Sequence, residues 1–411
     1  MRCSIRRLIC LSLVMILTLL HNCCIAEAED PWEYEKNPGA IYYTSDPRQL
    51  YNAKESNYKS EIAWTIVNDG RYEGYEEVHL LKCISLKNGK VRKWALKNEY
   101  IIQKDPDEYD GILYAVEYDE EVQVWLVQPD GQREQLASYT ITYPYWEKGP
   151  QTVRAYMHGT LYYIKSLEKI DPEAPRTYPP YPAVLCSIDA EGNEYVYQLN
   201  NDPAPLYAIF HYFAISPYGK VAWVTASEIK DYRTAARSLL VETPGQGVKQ
   251  VLPEGIEEQL GWNIDILDEG GIYGQSLCWI DEDHLMFGSK GSIDDNMLEH
   301  LYMLQLSSGE VTPLLNVDGN PIIMYHSIQG ASCVYYNREE NLIAYLGSPT
   351  RAIEWDICND DVAVPHIIDL NTGRNYVLYK NNIKSSDEGE FRNQTGQLSW
   401  MKPNYTASYT Y

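Results

Sequence analysis

Six segments of the chain share one hairpin signature, and this repetition constrains the fold more than any other feature. In each segment an apolar strand enters a tight turn that ends in glycine, and a second strand follows. Glycine suits such a turn because it adopts positive φ without strain. The six segments are Cys83–Gly89, Trp125–Gly131, Cys186–Gly192, Leu240–Gly247, Leu304–Gly309 and Ile368–Gly373.

A second shared element lies upstream of every hairpin, a short strand that is largely apolar on both of its faces. Such a strand belongs to a sheet that is covered on both sides, as the inner strands of stacked propeller blades are. Successive elements begin roughly 50 to 60 residues apart, which leaves room for four strands and their connections. The six elements are Ile62–Val67, Ile112–Val116, Leu161–Ile164, Val221–Val224, His284–Phe287 and Leu342–Leu346.

These repeats predict an all-β chain that forms a single β-propeller of four-stranded antiparallel blades. The segment Leu398–Ser408 resembles Leu277–Phe287 and therefore looks like the first two strands of one more blade. Early strands such as Ala40–Thr44 could complete that blade and leave no open sheet edge. We therefore predict seven blades, one of them a composite closed by N- and C-terminal strands, with Trp400 and Tyr42 in one sheet. Six blades is the alternative.

The strand pair Ala214–Trp223 carries a motif of a known family. Its turn, Ser216-Pro-Tyr-Gly-Lys220, resembles the Ser-Pro-Asp-Gly-Lys turn of TolB-type propeller repeats, which are related to WD40 repeats. Tyr218 takes the place of the aspartate, and Asn371-Thr-Gly373 is similar to the Thr-Gly turn of the same blades. The resemblance implies the blade fold. It implies no activity, because such repeats occur in binding modules, receptors and enzyme accessory domains.

Residues 1–28 have the layout of a secretory signal peptide. Basic residues open the segment, an apolar run follows over Leu8–Leu20, and small residues stand at its end. The run is shorter than the roughly 20 residues that span a bilayer. We therefore predict cleavage between Ala28 and Glu29, a propeller domain over 29–411, and export to the extracellular space or the cell envelope, which is the periplasm if the source has one. An uncleaved membrane anchor is the alternative.

The chain is strongly acidic, with a formal net charge of −24 at pH 7. A field of this sign repels phosphate backbones and anionic lipid surfaces. We therefore exclude nucleic acid as a partner, and cationic partners or simple solubility outside the cell are the two interpretations. No apolar run beyond the signal reaches the length of a membrane span, so we predict a mature chain without a transmembrane segment. We expect a monomer.

The cysteines do not predict a disulfide framework. Those beyond the signal segment are scattered over the repeats, and most stand in predicted strands, where a thiol behaves as a small buried hydrophobe. Whether any two of them pair stays open at this stage. They are Cys83, Cys186, Cys278, Cys333 and Cys358.

The sequence carries no motif for catalysis or for a resident metal ion. There is no Gly-x-Ser-x-Gly elbow for a serine hydrolase, and no pair of histidines has the spacing of a zinc protease. The segment Asp105–Gly111 resembles a calcium loop but is one residue out of register. We therefore predict no catalytic residue, no metal ligand and no cofactor, with a structural calcium ion as the alternative at such acidic loops.

Tyrosine dominates the aromatic residues, with 36 Tyr and 10 Trp against only 4 Phe. Tyrosine suits half-buried strands whose rings pack while their hydroxyl groups stay wet, and this accounts for most of the excess. Aromatic rings outside the strands favour recognition of a sugar or a peptide. The candidate binding residues in such segments are Tyr143, Tyr145, Trp146, Tyr178 and Tyr181.

A complete propeller without a catalytic motif favours a secreted binding or scaffold protein that recognises a protein or a cell-surface glycan through loops on one face. Two alternatives remain. One is an enzyme whose active site lies in the central channel, with residues scattered over the blades. The other is an accessory subunit of an envelope complex, which the TolB-type resemblance implies.

Overall fold

The computed structural model describes most of the repeats and leaves several connections and the N-terminal segment undescribed. The described residues are 40–41, 58–67, 78–87, 91–97, 99–105, 107–118, 120–144, 152–167, 183–198, 213–225, 238–261, 271–290, 298–325, 334–347, 364–377 and 398–401. All of them belong to one compact unit, Gly39–Tyr411. The predicted signal segment 1–28 and its cleavage site at Ala28 and Glu29 lie outside the described residues.

The described strands form six sheets, which we number by their order along the chain. A short strand, β1 (Ala40–Ile41), precedes sheet 1 and belongs to the last sheet. Sheet 1 contains β2 (Glu61–Val67), β3 (Val78–Ser85) and β4 (Val91–Lys97). Sheet 2 contains β5 (Glu99–Ile101), β6 (Ile112–Tyr118), β7 (Glu121–Val127) and β8 (Arg133–Thr140). Sheet 3 contains β9 (Val153–Met157), β10 (Thr160–Ser166), β11 (Ala183–Ile188) and β12 (Glu194–Val196).

The second half of the chain repeats this layout. Sheet 4 contains β13 (Phe213–Ile215), β14 (Val221–Thr225), β15 (Ser238–Thr243) and β16 (Gly247–Gln250). A short helix, α1 (Ile256–Leu260), follows it. Sheet 5 contains β17 (Gly271–Trp279), β18 (His284–Lys290), β19 (Leu298–Gln305), β20 (Glu310–Pro313) and β21 (Ile323–Tyr325). Sheet 6 contains β22 (Tyr335–Asn337), β23 (Leu342–Gly347), β24 (Val364–Asp369) and β25 (Arg374–Val377). The last strand, β26 (Leu398–Met401), belongs to sheet 1.

The four main strands of each sheet pair antiparallel, and in sheets 2 to 6 they follow one another in chain order. The six apolar elements seen in the sequence are all second strands. Where their side chains are described they are mostly buried on both faces, as predicted: Leu161–Ile164 of β10 and Leu342–Tyr345 of β23 are at most 3% exposed. The all-β propeller with four-stranded antiparallel blades is therefore confirmed.

The hairpin turns are confirmed as well wherever they fall within the described ranges. Their glycines have φ between 68° and 88°, in the region that L side chains rarely adopt. These glycines are Gly131, Gly192, Gly247, Gly309 and Gly373. The turn of the TolB-type motif has the same conformation at Gly219, with φ of 77°.

Shared apolar clusters join each sheet to the next around a ring. Burial of one large apolar side chain contributes about 1.5 to 3 kcal/mol, so these clusters are the main attraction between sheets. Representative pairs within one cluster are Met401 and Tyr114 for sheets 1 and 2, Leu113 and Tyr156 for sheets 2 and 3, Met157 and Ile215 for sheets 3 and 4, Val224 and Leu285 for sheets 4 and 5, and Leu301 and Ile343 for sheets 5 and 6.

Sheet 6 meets sheet 1 and closes the ring. β22 and β23 contact β26, and the segment before β2 hydrogen-bonds to sheet 6. The carboxylate of Glu340 accepts the backbone N–H groups of Lys59 at 2.5 Å and Ser60 at 2.9 Å. The amide of Asn337 donates to the Ser60 hydroxyl oxygen at 2.7 Å, and Tyr58 donates to Asp369 at 2.8 Å.

The prediction of seven blades is wrong, because the late strand does not begin a further sheet. β26 pairs antiparallel with β2, with Trp64 opposite Leu398 and Glu61 opposite Met401, and so completes sheet 1. Tyr42, which we predicted to share a sheet with Trp400, lies outside the described residues. The strand just before it, β1, pairs in parallel with β25 of sheet 6.

Three of the scattered cysteines behave as the sequence indicates. Cys83, Cys186 and Cys278 lie in strands and are at most 5% exposed. Burial raises the pKa of the Cys186 thiol to about 12, and the carboxylate of Glu194 adds to the shift. Cys333 and Cys358 lie outside the described residues. In the part of the chain that the structure describes, no helix is long and apolar enough to cross a membrane.

Two turn glycines provide a matched test of the packing between sheets. A Cβ atom at Gly309 would have open space, whereas a Cβ atom at Gly373 would lie 2.2 Å from Cα of Asn316 in the connection after β20. We expect Gly309→Ala to lower the free energy of unfolding by about 1 kcal/mol through the positive φ alone. Gly373→Ala adds backbone overpacking and should cost roughly 1 to 3 kcal/mol more. Equal losses in chemical denaturation would contradict the contact between Gly373 and Asn316.

Candidate functional site

The antiparallel strand order gives the ring two unlike faces. On one side of the ring lie the connections from the first to the second strand of each sheet and from the third to the fourth strand. We call this side the turn face. Its connections are short: His158 and Gly159 alone link β9 to β10. The other side, which we call the loop face, has long connections such as 167–182, 226–237 and 348–363. A ligand can therefore bind to either of two chemically different surfaces of this protein.

Four sheets contribute side chains to one cluster on the turn face. First strands of neighbouring sheets contact one another, as β13 contacts β17 and β17 contacts β22, so the turns that follow them surround the central channel. We call the group at this opening the mouth cluster. It consists of Asp105, Asp107 and Glu108 from sheet 2, His158 from sheet 3, Tyr218 from sheet 4 and Arg338 from sheet 6.

Arg338 links three sheets across the channel opening. Its Nη1 forms an ion pair with Oδ2 of Asp107, and its Nη2 lies 3.4 Å from the hydroxyl oxygen of Tyr218. Sheets 2, 4 and 6 alternate around the ring, so a group that reaches all three lies over the opening. Burial disfavours the charged guanidinium, but Asp107 and Tyr218 outweigh that effect and raise the pKa of Arg338 above its ordinary value.

His158 stands between two carboxylates of sheet 2. Its Nε2 lies 3.0 Å from Oδ2 of Asp105, and its Nδ1 lies 3.7 Å from Oε2 of Glu108. The backbone N–H of His158 also donates to Glu108 at 2.7 Å. Its φ is 50°, in the left-handed region, where histidine occurs more often than most other residues that carry a side chain. The turn thus holds a half-exposed imidazole against the neighbouring sheet.

Further polar groups of the acidic loop Asp105–Gly111 form hydrogen bonds within the loop and with Lys104 just before it. Oδ1 of Asp105 accepts the backbone N–H of Asp107 at 3.0 Å, and Nζ of the buried Lys104 donates to the carbonyl oxygens of Tyr109 and Gly111. Among the described residues, no group of three or more His, Cys, Asp or Glu side chains could hold a metal ion. The calcium interpretation of this loop therefore gains no support from the arrangement of its side chains.

The main polar contacts of the mouth cluster lie within the cluster. A general base needs a nitrogen within hydrogen-bond reach of a substrate proton, but Nε2 of His158 is already 3.0 Å from Oδ2 of Asp105. Asp107 and Arg338 are likewise engaged with each other. The sequence pointed to Asp105, Asp107 and Glu108 only as part of a calcium-like loop and to Tyr218 only through the TolB-type turn. It did not bring these residues together with His158 and Arg338, because they come from distant turns.

The candidate binding residues from the sequence belong to connections that start and end on the loop face. Tyr143 lies between β8 and β9 and is the one member of the set that the structure describes. Tyr145, Trp146, Tyr178 and Tyr181 lie outside the described residues. The prediction that Tyr143 lies outside the strands is therefore confirmed. The sequence did not predict which other exposed side chains belong to the same part of the loop face.

Tyr143 is exposed and held in a strained conformation. Its φ is 55°, which is a genuine outlier for a bulky side chain, and the residue is 39% exposed. The carbonyl oxygen of Tyr143 accepts the N–H of Ser166 at 2.8 Å, and Pro144 forms a bridge with Lys165. These contacts to β10 fix the strained backbone in place.

Two further exposed side chains belong to segments that are hydrogen-bonded to the connection of Tyr143. Leu167 directly follows Ser166 and is 57% exposed. Tyr118 ends β6 and is 55% exposed, and the adjoining β6–β7 turn is tied to the same connection by the N–H of Ile141, which donates to the carbonyl oxygen of Glu120 at 2.7 Å. We call Tyr118, Tyr143 and Leu167 the loop-face patch.

Carboxylates border the loop-face patch. Glu120 and Glu121 are exposed, and Glu121 stands opposite Tyr118 in the β6–β7 pair. Hydrogen bonds from Gln123 and Ser138 lower the pKa of Glu121, so it stays ionised. The nearby cation, Lys165, is paired with Glu194 at 2.7 Å. Among the described residues, the border of the patch is therefore negative.

Comparisons with known proteins give information about the fold of this chain and none about its activity. No family model matches the chain, and the search of curated proteins finds no relative. The solved structures to which it is similar include TolB from Acinetobacter baumannii, with a TM-score of 0.45, 11% identity, and coverage of 85% of this chain and 68% of that one.

Two other solved structures to which the chain is similar are a lyase and the propeller domain of a protease. The alignment with an oligogalacturonate lyase in complex with manganese has a TM-score of 0.37 and 14% identity, and it covers 76% of this chain and 77% of the lyase chain. The β-propeller domain of the Trilobed protease from Pyrococcus furiosus has a TM-score of 0.36 and 11% identity, with coverage of 79% and 94%. The chain is thus similar to TolB and other propeller proteins.

Proposed function

We propose that this protein is an exported, non-catalytic β-propeller that binds a protein or glycan ligand through its loop face, around Tyr143. Tyr145, Trp146, Tyr178 and Tyr181 are proposed to belong to the same surface, since their connections begin and end on that face. The accessory-subunit role in an envelope complex is one form of this function. A metal ion or cofactor is not part of the proposal.

The strained backbone of Tyr143 is the observation that carries this proposal. A bulky residue at positive φ costs roughly 1 to 2 kcal/mol, and glycine at that position would avoid the cost. Tyr143 is more than a third exposed, so core packing does not account for its presence. Backbone strain of this kind clusters at functional sites, where an outlier supports a hypothesis of function.

Catalysis at the channel mouth is the second candidate function. The observation in its favour is the convergence of His158, Asp105, Glu108 and Arg338 from three sheets at one opening. It is the weaker candidate, because Asp105 engages Nε2 of His158 and Asp107 forms an ion pair with Arg338. An acid–base role would require a substrate to displace these contacts.

Replacement of Tyr143 by glycine separates a role in binding from a role in folding. We expect Tyr143→Gly to leave the free energy of unfolding unchanged or to raise it by about 1 kcal/mol, because the strain is relieved. The same variant should lose ligand that wild-type protein captures from the envelope or secreted fraction, or from a glycan array. Tyr143→Phe is the matched control and should keep binding. Full ligand capture by Tyr143→Gly would contradict the proposed site.

Export can be tested on the protein that the cell itself processes. The basic start, the short apolar run and the small residues before Glu29 support cleavage by a signal peptidase. We expect intact-mass measurement of protein recovered from the medium or envelope to give a chain that begins at Glu29. A membrane-bound product that retains residues 1–28 would support the anchor alternative instead.

Activity assays distinguish the second candidate function from the first. We expect no turnover of polysaccharide, glycoside or peptide substrates by the purified protein, because Asp105 and Asp107 already engage Nε2 of His158 and the guanidinium of Arg338. The informative variants are His158→Gln and Arg338→Ala. Turnover by the wild type that either variant abolishes would place the function at the mouth and overturn the binding proposal.

A further inference from the structure

The loop-face patch combines apolar side chains with a negative border. Of the large apolar side chains that are exposed in the described residues, Tyr118, Tyr143 and Leu167 come from three segments tied together by backbone hydrogen bonds. Contiguous exposed apolar surface marks sites of interaction. Tyrosine in particular is enriched where a partner buries one face of the ring and leaves the hydroxyl in contact with water.

The charges around the patch limit the chemistry of its partner. Glu120 and Glu121 lie on its sheet 2 side, and Glu117, at the end of β6, directs its carboxylate to the N–H of Val153. On its sheet 3 side, Lys165 is neutralised by Glu194, which accepts its ammonium through both oxygens at 2.7 and 3.0 Å. The exposed charges therefore favour a cationic partner, and complementary charge steers association.

We infer that the loop-face patch docks a polypeptide segment in which lysine or arginine residues flank an apolar side chain. This inference rests on the proposed binding function and names its partner class. The apolar side chain packs on Tyr118, Tyr143 and Leu167. The flanking cations lie beside Glu120 and Glu121.

An exposed leucine favours a polypeptide over a glycan at this place. Sugars are recognised by the flat faces of aromatic rings together with polar groups, whereas Leu167 offers an aliphatic surface with no hydrogen-bonding group. Leu167 is 57% exposed, so aliphatic surface is a large part of the patch.

Fluorescence anisotropy with the full mature protein tests the inference. The probe is a labelled peptide of alternating lysine and leucine. One comparison peptide replaces lysine by glutamate, and the other replaces leucine by serine. We expect the lysine–leucine peptide to bind at least about tenfold more tightly than either comparison peptide, and binding to weaken as salt rises.

Paired variants show whether the peptide binds at the patch or only to an acidic protein. Leu167→Ser with Glu120→Gln should weaken binding by about tenfold or more. The control is Val317→Ser with Glu310→Gln, which removes an equally exposed apolar side chain and one carboxylate from the sheet 5 side of the ring. Equal losses in the two double variants, or equal binding of the three peptides, would overturn the inference.

The failure of this inference differs from the failure of the proposed function. If Tyr143→Gly abolishes capture of the native ligand while the lysine–leucine peptide does not bind, the binding site stands and the partner class is wrong. A glycan-array signal that depends on Tyr143 has the same meaning. If Tyr143→Gly captures the native ligand normally, the proposed site itself is wrong.

Discussion

Antiparallel pairing of β26 with β2 is the contact on which the rest of the structure depends. It joins segments more than 300 residues apart in sequence and gives sheet 1 the first strand that its own part of the chain lacks. Without it, sheets 1 and 6 would each expose an uncovered side, and β2 would present an open edge. The carboxylate of Glu340 accepts the backbone N–H groups of Lys59 and Ser60, one with each oxygen, and so reinforces the same junction. A closed ring then fixes the positions of all the turns around its opening.

Closure of the ring produces two faces with different chemistry. Short turns crowd together on the turn face, where distant acidic and basic residues such as Asp107 and Arg338 neutralise one another across the channel. Long connections leave from the loop face, which displays Tyr118, Tyr143 and Leu167. Apart from Asn341 and His158, whose residue types adopt positive φ more readily than most, the non-glycine residue with positive φ in the described ranges is Tyr143 on the loop face. Backbone strain thus marks the loop-face site independently of its side-chain chemistry.

Local pattern predicted the blades well and their number badly. The apolar second strands and the glycine turns follow from short-range rules, since burial on both faces and positive φ each leave a mark within a few residues. The likeness of Leu398–Ser408 to Leu277–Phe287 was also real, because β26 is the first strand of a sheet. Its partner could not be read from that likeness. β26 completes sheet 1, which contains Ile62, and does not start a seventh sheet. Sheet 1 already had β2, β3 and β4 as its second, third and fourth strands, and β26 takes the position of its first strand.

The sequence by itself determined the repeat, the propeller class, the position of Tyr143 outside the strands and the burial of three cysteines, because each depends on residues close together in the chain. Only the tertiary structure decided the closure through β26, the attachment of β1 to β25, the mouth cluster and the group of Tyr118 with Leu167 beside Tyr143. Each of these brings together residues from separate segments. Their proximity depends on how the sheets pack and pair around the ring, and no local pattern encodes that geometry.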